Sequence, residues 1–359
     1  MPKINTYYYK VLLYTKMKKQ IGLLAFIFCI HGVAVSQQLI NSTFGKGINV
    51  MASDSSMSMK FHYRIQSLFT GEYDQSSETW ETNALIRRSR LKFSGFAFTP
   101  KLKYKGEMGL SNRDIAINKE DGNTSGAARF ILDAVIKWQF ANKWQLWVGQ
   151  TKLPGNRERV VSSADLQFVD RSLVNSKFNV DRDMGFQLHG KINLGSTFLV
   201  TPKFALTKGE GRDITSSNYG GFNYTAHVDF LPFGKFEGKK QDFILADINR
   251  QSTPKLAIGV TYNLNQGATR QQGQLGSFIY QTTYPTDSTM EIINGANDLT
   301  AIQIDLLFKY QGFSLFGEYA STTAAEKLDN LSKGYNTGSG YNIQAGYVMK
   351  NNWEIAGRY

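Results

Sequence analysis

Met57-Ser58-Met59-Lys60-Phe61-His62-Tyr63-Arg64-Ile65-Gln66-Ser67-Leu68-Phe69 is the stretch that decides the fold. Successive side chains of an extended chain point to opposite faces, so Met57, Met59, Phe61, Tyr63, Ile65 and Phe69 share an apolar face. Ser58, Lys60, His62, Arg64, Gln66 and Thr70 share a polar one. Strands of soluble proteins run about 5–6 residues, whereas membrane-spanning strands need about 9–11. The alternation here lasts about a dozen residues. No run of 18 or more apolar residues exists and mean hydropathy is −0.32, so no helix spans a bilayer. A chain of this kind enters a membrane only as a closed barrel, whose strands satisfy one another's backbone groups.

The pattern recurs along the 359 residues. It returns around Tyr104 to Leu110, Leu132 to Phe140, Trp144 to Val148, Met184 to Ile192, Tyr224 to Phe230, Leu256 to Leu264, Ile302 to Tyr310, Phe313 to Tyr319, Tyr341 to Met349 and Trp353 to Tyr359. Leu85 to Phe98 fits with a blurred outer face at Arg87, and Phe198 to Thr207 contains Pro202, which predicts a bulge or an edge. The reading gives about thirteen strands. Connections alternate in length: Thr99-Pro100, Ala141 to Lys143, Asn193 to Ser196, Gln311-Gly312 and Asn351-Asn352 are short. Gly71 to Asn83, Ser111 to Phe130, Leu153 to Arg182, Lys208 to Phe222, Asn265 to Thr300 and Ser321 to Gly340 are long. Short periplasmic turns alternating with long outer loops mark an outer-membrane barrel. Leu231 to Pro254 breaks the alternation, being long where a turn is due, unless Asp242 to Ile248 is a further strand.

Lys18-Lys19, the apolar run Ile21 to Ile30 and the small residues Ala34-Val35-Ser36 form a secretory leader, with translation expected to start at Met17. Cleavage after Ser36 removes Cys29, the single cysteine, and five lysines, leaving 36 basic and 29 acidic side chains, a balance of +7, in one domain spanning residues 37–359. Export makes nucleic acid a poor partner for that charge and leaves anionic surfaces or anionic solutes.

No HExxH, paired-cysteine or GxSxG motif is present, so neither a cofactor, a metal nor catalysis is expected. His62, His189 and His227 fall on the polar faces of different strands and read as lumen histidines. Gly209-Glu210-Gly211 reads as a turn. More informative is a basic wall on the first three strands, with Lys60 and Arg64, then Arg88, Arg90 and Lys92, then Lys101, Lys103 and Lys105, facing the single acid Glu107. In a lumen walled by low dielectric such a field concentrates anions. Lys239 and Lys240 read as loop charges outside this wall. The third long loop carries Arg157, Arg159, Arg171 and Arg182 together with Glu158, Asp165, Asp170 and Asp181. Its arginines either line a pore narrowed by an inward loop or pair with these carboxylates and hold the loop's shape.

Several segments resemble the phosphate-selective porin O and P family. These are Ser53-Asp54 leading into the first strand, Ile86-Arg87-Arg88-Ser89-Arg90-Leu91-Lys92-Phe93-Ser94-Gly95, Phe168-Val169-Asp170-Arg171-Ser172-Leu173, Arg182-Asp183-Met184-Gly185, and Thr253 to Val260, the last similar to versions in a Bacteroidetes-like branch. The resemblance covers nearly all of Gln37 to Tyr359. It implies an outer-membrane barrel of about sixteen strands, a homotrimer set in lipid and lipopolysaccharide, an inward third loop and basic residues that guide small anionic solutes. The family's loop basic residue is matched by Arg171, with Arg157 and Arg159 nearby, and its tandem arginines by Arg87, Arg88 and Arg90. Because the loop arginines are mixed with acids, the resemblance implies a general or weakly anion-preferring pore, with phosphate or polyphosphate as narrower candidates.

The rivals are a secreted β-sandwich that binds carbohydrate, which calls for shorter strands, and a barrel hydrolase, for which neither His189 nor His227 has a nucleophile beside it in the pattern. Closed single-chain bacterial barrels have an even strand number, so the odd count leads to the expectation that strands follow Tyr359. Mass spectrometry of the membrane fraction should find a mature protein that starts at Gln37; a terminus that retains Phe26 to Ile30 would contradict the leader.

Overall fold

The computed structural model describes residues 37–39, 45, 47–115, 130–214, 221–283 and 291–359; the expected leader lies outside them. The strands are β1 (Gln37–Leu39), β2 (Ile48–Ala52), β3 (Met57–Asp74), β4 (Thr79–Ala97), β5 (Thr99–Gly109), β6 (Ile131–Ala141), β7 (Trp144–Lys152), β8 (Arg182–Gly190), β9 (Ile192–Leu194), β10 (Phe198–Thr207), β11 (Asn223–Leu231), β12 (Lys255–Ala268), β13 (Tyr280–Thr283), β14 (Glu291–Asn294), β15 (Asn297–Tyr310), β16 (Phe313–Ala324), β17 (Gly338–Val348) and β18 (Glu354–Arg358). All but β13 and β14 form one sheet of sixteen antiparallel strands, paired in chain order. The fold is all-β, a transmembrane antiparallel β-barrel. Among the described residues no helix is long and apolar enough to cross a membrane.

The period-2 pattern sets the two faces. Ile302 and Ile304 on β15 are exposed on the outside, while Gln303 and Asp305, which alternate with them, are buried in the lumen. Exposed Tyr224, Tyr262, Tyr319 and Tyr341 lie toward the loop end of the outer face, and Trp138, Phe140, Tyr310, Phe313 and Tyr347 toward the turn end. Two such bands are the girdles with which barrels meet the lipid headgroups.

The structure differs from the sequence reading in several places, each for a local reason. The span Gly71 to Asn83 is not a long loop, because β3 and β4 stay paired up to Asp74↔Thr79. Above the bilayer a hairpin needs no apolar outer face, so Glu72, Glu81 and Thr82 gave no alternation signal. The blurred face at Arg87 is a register shift between Gln66 and Ser67, which lets the consecutive Arg87 and Arg88 both reach Asp170. At Pro202 the register is kept but the ladder is interrupted: β10 pairs β8 over Lys203–Thr207 and β9 over Phe198–Val200, because proline has no N–H to offer. The hairpin β1–β2 and the loop hairpin β13–β14 were too short to leave a pattern. Asp242 to Ile248 is not a strand; it begins in a 3-10 turn, Gln241–Phe243.

Close strand approach is clearest at Gly95. The Tyr104 side chain reaches across from β5 and donates to the Ser58 carbonyl at 2.9 Å. A Cβ on Gly95 would meet that same carbonyl oxygen. Gly95→Val should therefore reduce the fraction of protein that shows the heat-modifiable, folded band on a gel, whereas Gly357→Ala, where a Cβ meets open space, should leave it unchanged.

Candidate functional site: the pore lumen

The third outer loop, between β7 and β8, folds inward. Helix α1 is Asn112–Ile115, in the preceding outer loop; the third loop carries α2 (Arg157–Val160) and α3 (Leu173–Lys177). Ser172 caps α3, its hydroxyl accepting from the Asn175 N–H at 3.1 Å. Lys152 at the end of β7 donates to the carbonyls of Arg159, Val160 and Val161 at 2.7, 3.1 and 3.0 Å. It thus satisfies the C-terminal carbonyls that α2 leaves open.

Far walls hold the loop. Arg157 is buried, with Nη2 2.5 Å from Asp229 on β11 and Nε 2.5 Å from Asp305 on β15. Beside it, Asn156 donates to Glu318 on β16 at 2.8 Å, and Gln303 donates to the Phe178 carbonyl at 2.9 Å. Inside the loop, Glu158 accepts from the Ser172 hydroxyl at 2.6 Å and the Ser172 N–H at 2.9 Å. Arg159 pairs with Asp181 at 2.6 Å. Burial alone would raise the Asp181 carboxyl, but the charge and hydrogen bond of Arg159, together with the charges of Arg182 and Arg212, hold the group below the usual carboxylate range. Arg171 donates to the carbonyls of Glu158 and Val161, both at 2.8 Å. Burial, with repulsion from Arg159, pushes Arg171 below the usual arginine range; the guanidinium keeps its proton at neutral pH all the same. Arg157, Arg159 and Arg171 are thus brought together, but as the frame of the loop.

The strand wall divides in two. Toward the loop, Arg88 contacts Asp170 at 3.2 Å and Arg90 contacts Asp114 at 2.7 Å. Lys92 and Lys105 share Glu107 at 3.3 and 3.0 Å, and Lys105 also pairs with Asp133. The expectation of a wall with one acid is corrected here: Asp114, Asp133 and Asp170 join Glu107. Asp133 lies directly across from Glu107 in the β5–β6 register, so a neighbouring strand supplied the charge that a strand-by-strand reading left out. Toward the turns, Lys60, Lys101 and Lys103 make no ion pair among the described residues. Lys137, register partner of Lys103, joins them, its Nζ 3.3 Å from the centre of the Trp147 ring. Trp147 in turn stacks on His189 with ring centres 3.9 Å apart.

His227 is buried, 2.8 Å from the Thr261 hydroxyl and 3.0 Å from Asp229, so it is packed in the wall instead of being bathed by the lumen. Gly209 and Gly211, both at positive φ, offer their N–H groups to Asp183 at 2.5 and 3.2 Å, a turn closed by a carboxylate. Lys240 is also misplaced by the sequence reading. It sits on a connection that enters the lumen, where its charge interacts with Lys92 and Lys105. No pattern near Lys240 signals this, because its neighbours in space come from β4 and β5.

The model of the family "Phosphate-selective porin O and P" matches residues 58–359. The chain belongs to that family. It is an outer-membrane porin. No curated protein matches the sequence. Among solved structures the porin is similar to Pseudomonas putida OprB at high pH, with 10% identity over 81% of this chain and 71% of that one and a TM-score of 0.38. It is also similar to a porin refined at 1.8 Å, with 10% identity, 83% and 93% coverage and a TM-score of 0.36. A third is the outer-membrane channel DcaP of Acinetobacter baumannii, with 11% identity, 86% and 91% coverage and a TM-score of 0.34.

Removing one partner of a buried ion group leaves the others uncompensated, at about 3–5 kcal/mol. Arg157→Ala in this porin should therefore lower the temperature of the heat-modifiable gel shift and give a noisier, larger single-channel conductance as the loop leaves Asp229 and Asp305. Lys177→Ala, on the exposed end of the same loop's second helix, should change neither.

Proposed function

We propose that this porin passes small solutes by passive diffusion and prefers anions, working as a homotrimer exported with a cleaved leader. One observation carries the anion preference: Lys60, Lys101, Lys103 and Lys137 converge on the turn-end half of the lumen, and no carboxylate pairs with them among the described residues. In bulk water, screening over about 8–10 Å would mute these charges. Between low-dielectric walls the same charges are screened less and concentrate counter-ions. The paired cations Arg88, Arg90, Lys92 and Lys105 contribute less net field, since Asp170, Asp114, Glu107 and Asp133 stand beside them.

The family's printed description names phosphate, and this chain's free lysines suit any small anion, phosphate and polyphosphate included. An ammonium attracts phosphate as a point charge without the two-pronged geometry of a guanidinium. Arg88, Arg90, Arg157, Arg159, Arg171 and Arg182 are already engaged with carboxylates or carbonyls, so a broad anion preference is the better supported reading.

Planar-bilayer recordings in a salt gradient test it. The reversal potential of the unmodified porin should report anion preference, and Lys101→Gln, Lys103→Gln and Lys137→Gln together should move it toward zero. Glu107→Gln should move it the other way by releasing Lys92 and leaving Lys105 with Asp133 alone. Cation preference in the unmodified protein would overturn the reading.

A further inference from the structure

We propose that the β11–β12 connection, residues 232–254, is a second constriction element, docked from the turn end against the third outer loop, and that it carries Lys240 as a selectivity-determining charge. This deepens the anion-preferring pore proposed above and rests on it.

The connection lies at the end of the barrel where the other links among the described strands are short, between β4 and β5, β6 and β7, β15 and β16, and β17 and β18. A turn of two residues would close β11 to β12. Twenty-three residues stand there instead, and they do not hang free. Phe236 and Leu245 are buried with Leu199, Leu231, Ala257, Leu307 and Phe316, side chains of the turn-end strand halves, and with Val161 of the third loop. This is the larger apolar cluster inside the barrel, in a lumen otherwise lined with polar groups. Burying such side chains stabilises by about 1.5–3 kcal/mol each, enough to keep the segment seated.

Polar contacts fix its position. Lys309 on β15 donates to the Gln241 carbonyl at 2.9 Å, and the Gly312 N–H donates to Asp247 at 2.8 Å. The segment also touches the third loop directly. Arg157 Nη1 donates to the Asp242 carbonyl at 2.9 Å, and the Leu245 N–H donates to the Asp165 carbonyl at 3.4 Å. Arg157 therefore ties together both inward segments and two strands of the wall.

At the head of the 3-10 turn Gln241–Phe243, Lys240 takes φ +58°, a left-handed conformation uncommon for a lysine. Such strain persists where the surroundings impose it. The side chain is exposed to solvent, yet burial by surrounding protein pushes its ammonium below the usual lysine range; repulsion from Lys105, Lys92 and Lys239 adds to this, and attraction to Asp165 opposes it. Exposure to water within an enclosure of protein atoms is the condition of a group on a pore lining. Lys137 feels the same charge from β6. Lys240 thus adds, from the connection, a charge to the cationic wall of β4, β5 and β6.

The test uses the full porin in planar bilayers. Lys240→Asn removes the charge while suiting the left-handed backbone, and Lys235→Asn removes an exposed charge from the same connection as a control. Lys240→Asn should shift the reversal potential toward zero and Lys235→Asn should not. A second measurement does not depend on the asparagine substitution: Lys240→Cys and Lys235→Cys, each combined with Cys29→Ser, are treated with a sulfonate-bearing thiol reagent. The anionic adduct at position 240 should reduce single-channel conductance and anion preference, and that at position 235 should leave both. Equal responses at the two positions, in a channel that is otherwise anion-selective, would overturn the second constriction while leaving the pore reading intact. A channel without anion preference in the unmodified protein would instead remove the reading beneath it.

Discussion

The guanidinium of Arg157, sealed between Asp229 and Asp305, is the contact on which the interior of this barrel is organised. A charge taken out of water is costly unless its partners are close and well aimed, and its attraction to them grows as the dielectric falls. Here two carboxylates from separate strands and one carbonyl, that of Asp242, meet a single planar cation. Arginine suits the place because its donors are fixed in a fork and its charge does not titrate away. The consequence reaches past the loop. The inner faces of the strands are polar, and Arg157 holds the Asp242 carbonyl of the segment whose Phe236 and Leu245 lie in the apolar cluster.

Much of the barrel was legible because lipid imposes a rule that sequence must obey. Where a strand crosses hydrocarbon, every second residue must be apolar, and Ile302, Ile304, Leu306 and Phe308 on β15 obey it. Where the strand leaves the bilayer the rule lapses, and the upper parts of β3 and β4 went unread for that reason. The short hairpins β1–β2 and β13–β14 lie below the length at which alternation can be told from chance. The long connection between β11 and β12 stands out in the sequence by its length, being long where a turn is due.

The lumen was legible in its charges and not in their pairing. The sequence places Arg88, Arg90, Lys92 and Lys105 on inward faces, and the structure keeps them there. Their partners come from elsewhere: Asp170 from the third loop, Asp114 from α1 (Asn112–Ile115), Asp133 from the next strand. Only the last follows from register. Asp229 and Asp305 sit 72 and 148 residues from Arg157, and no local spacing connects them.

The distribution of paired and unpaired cations follows from these two demands on the same residue types. A loop folded into water needs charge-assisted bonds to hold it, so the cations nearest the loop are spent on carboxylates and carbonyls, and their net field is small. Cations farther from the loop have no such task. Lys101 and Lys103 are exposed and keep their solvation and their field, while Lys137 rests half-buried on the Trp147 ring; lysine serves there better than arginine, being strongly hydrated and slow to commit to one geometry. A passing ion must be attracted enough to enter and held loosely enough to leave. In the anion-preferring pore proposed above, guanidinium forks aimed at an anion would hold it, whereas exposed ammonium groups, Lys240 on the turn-end connection among them, would draw it in without trapping it.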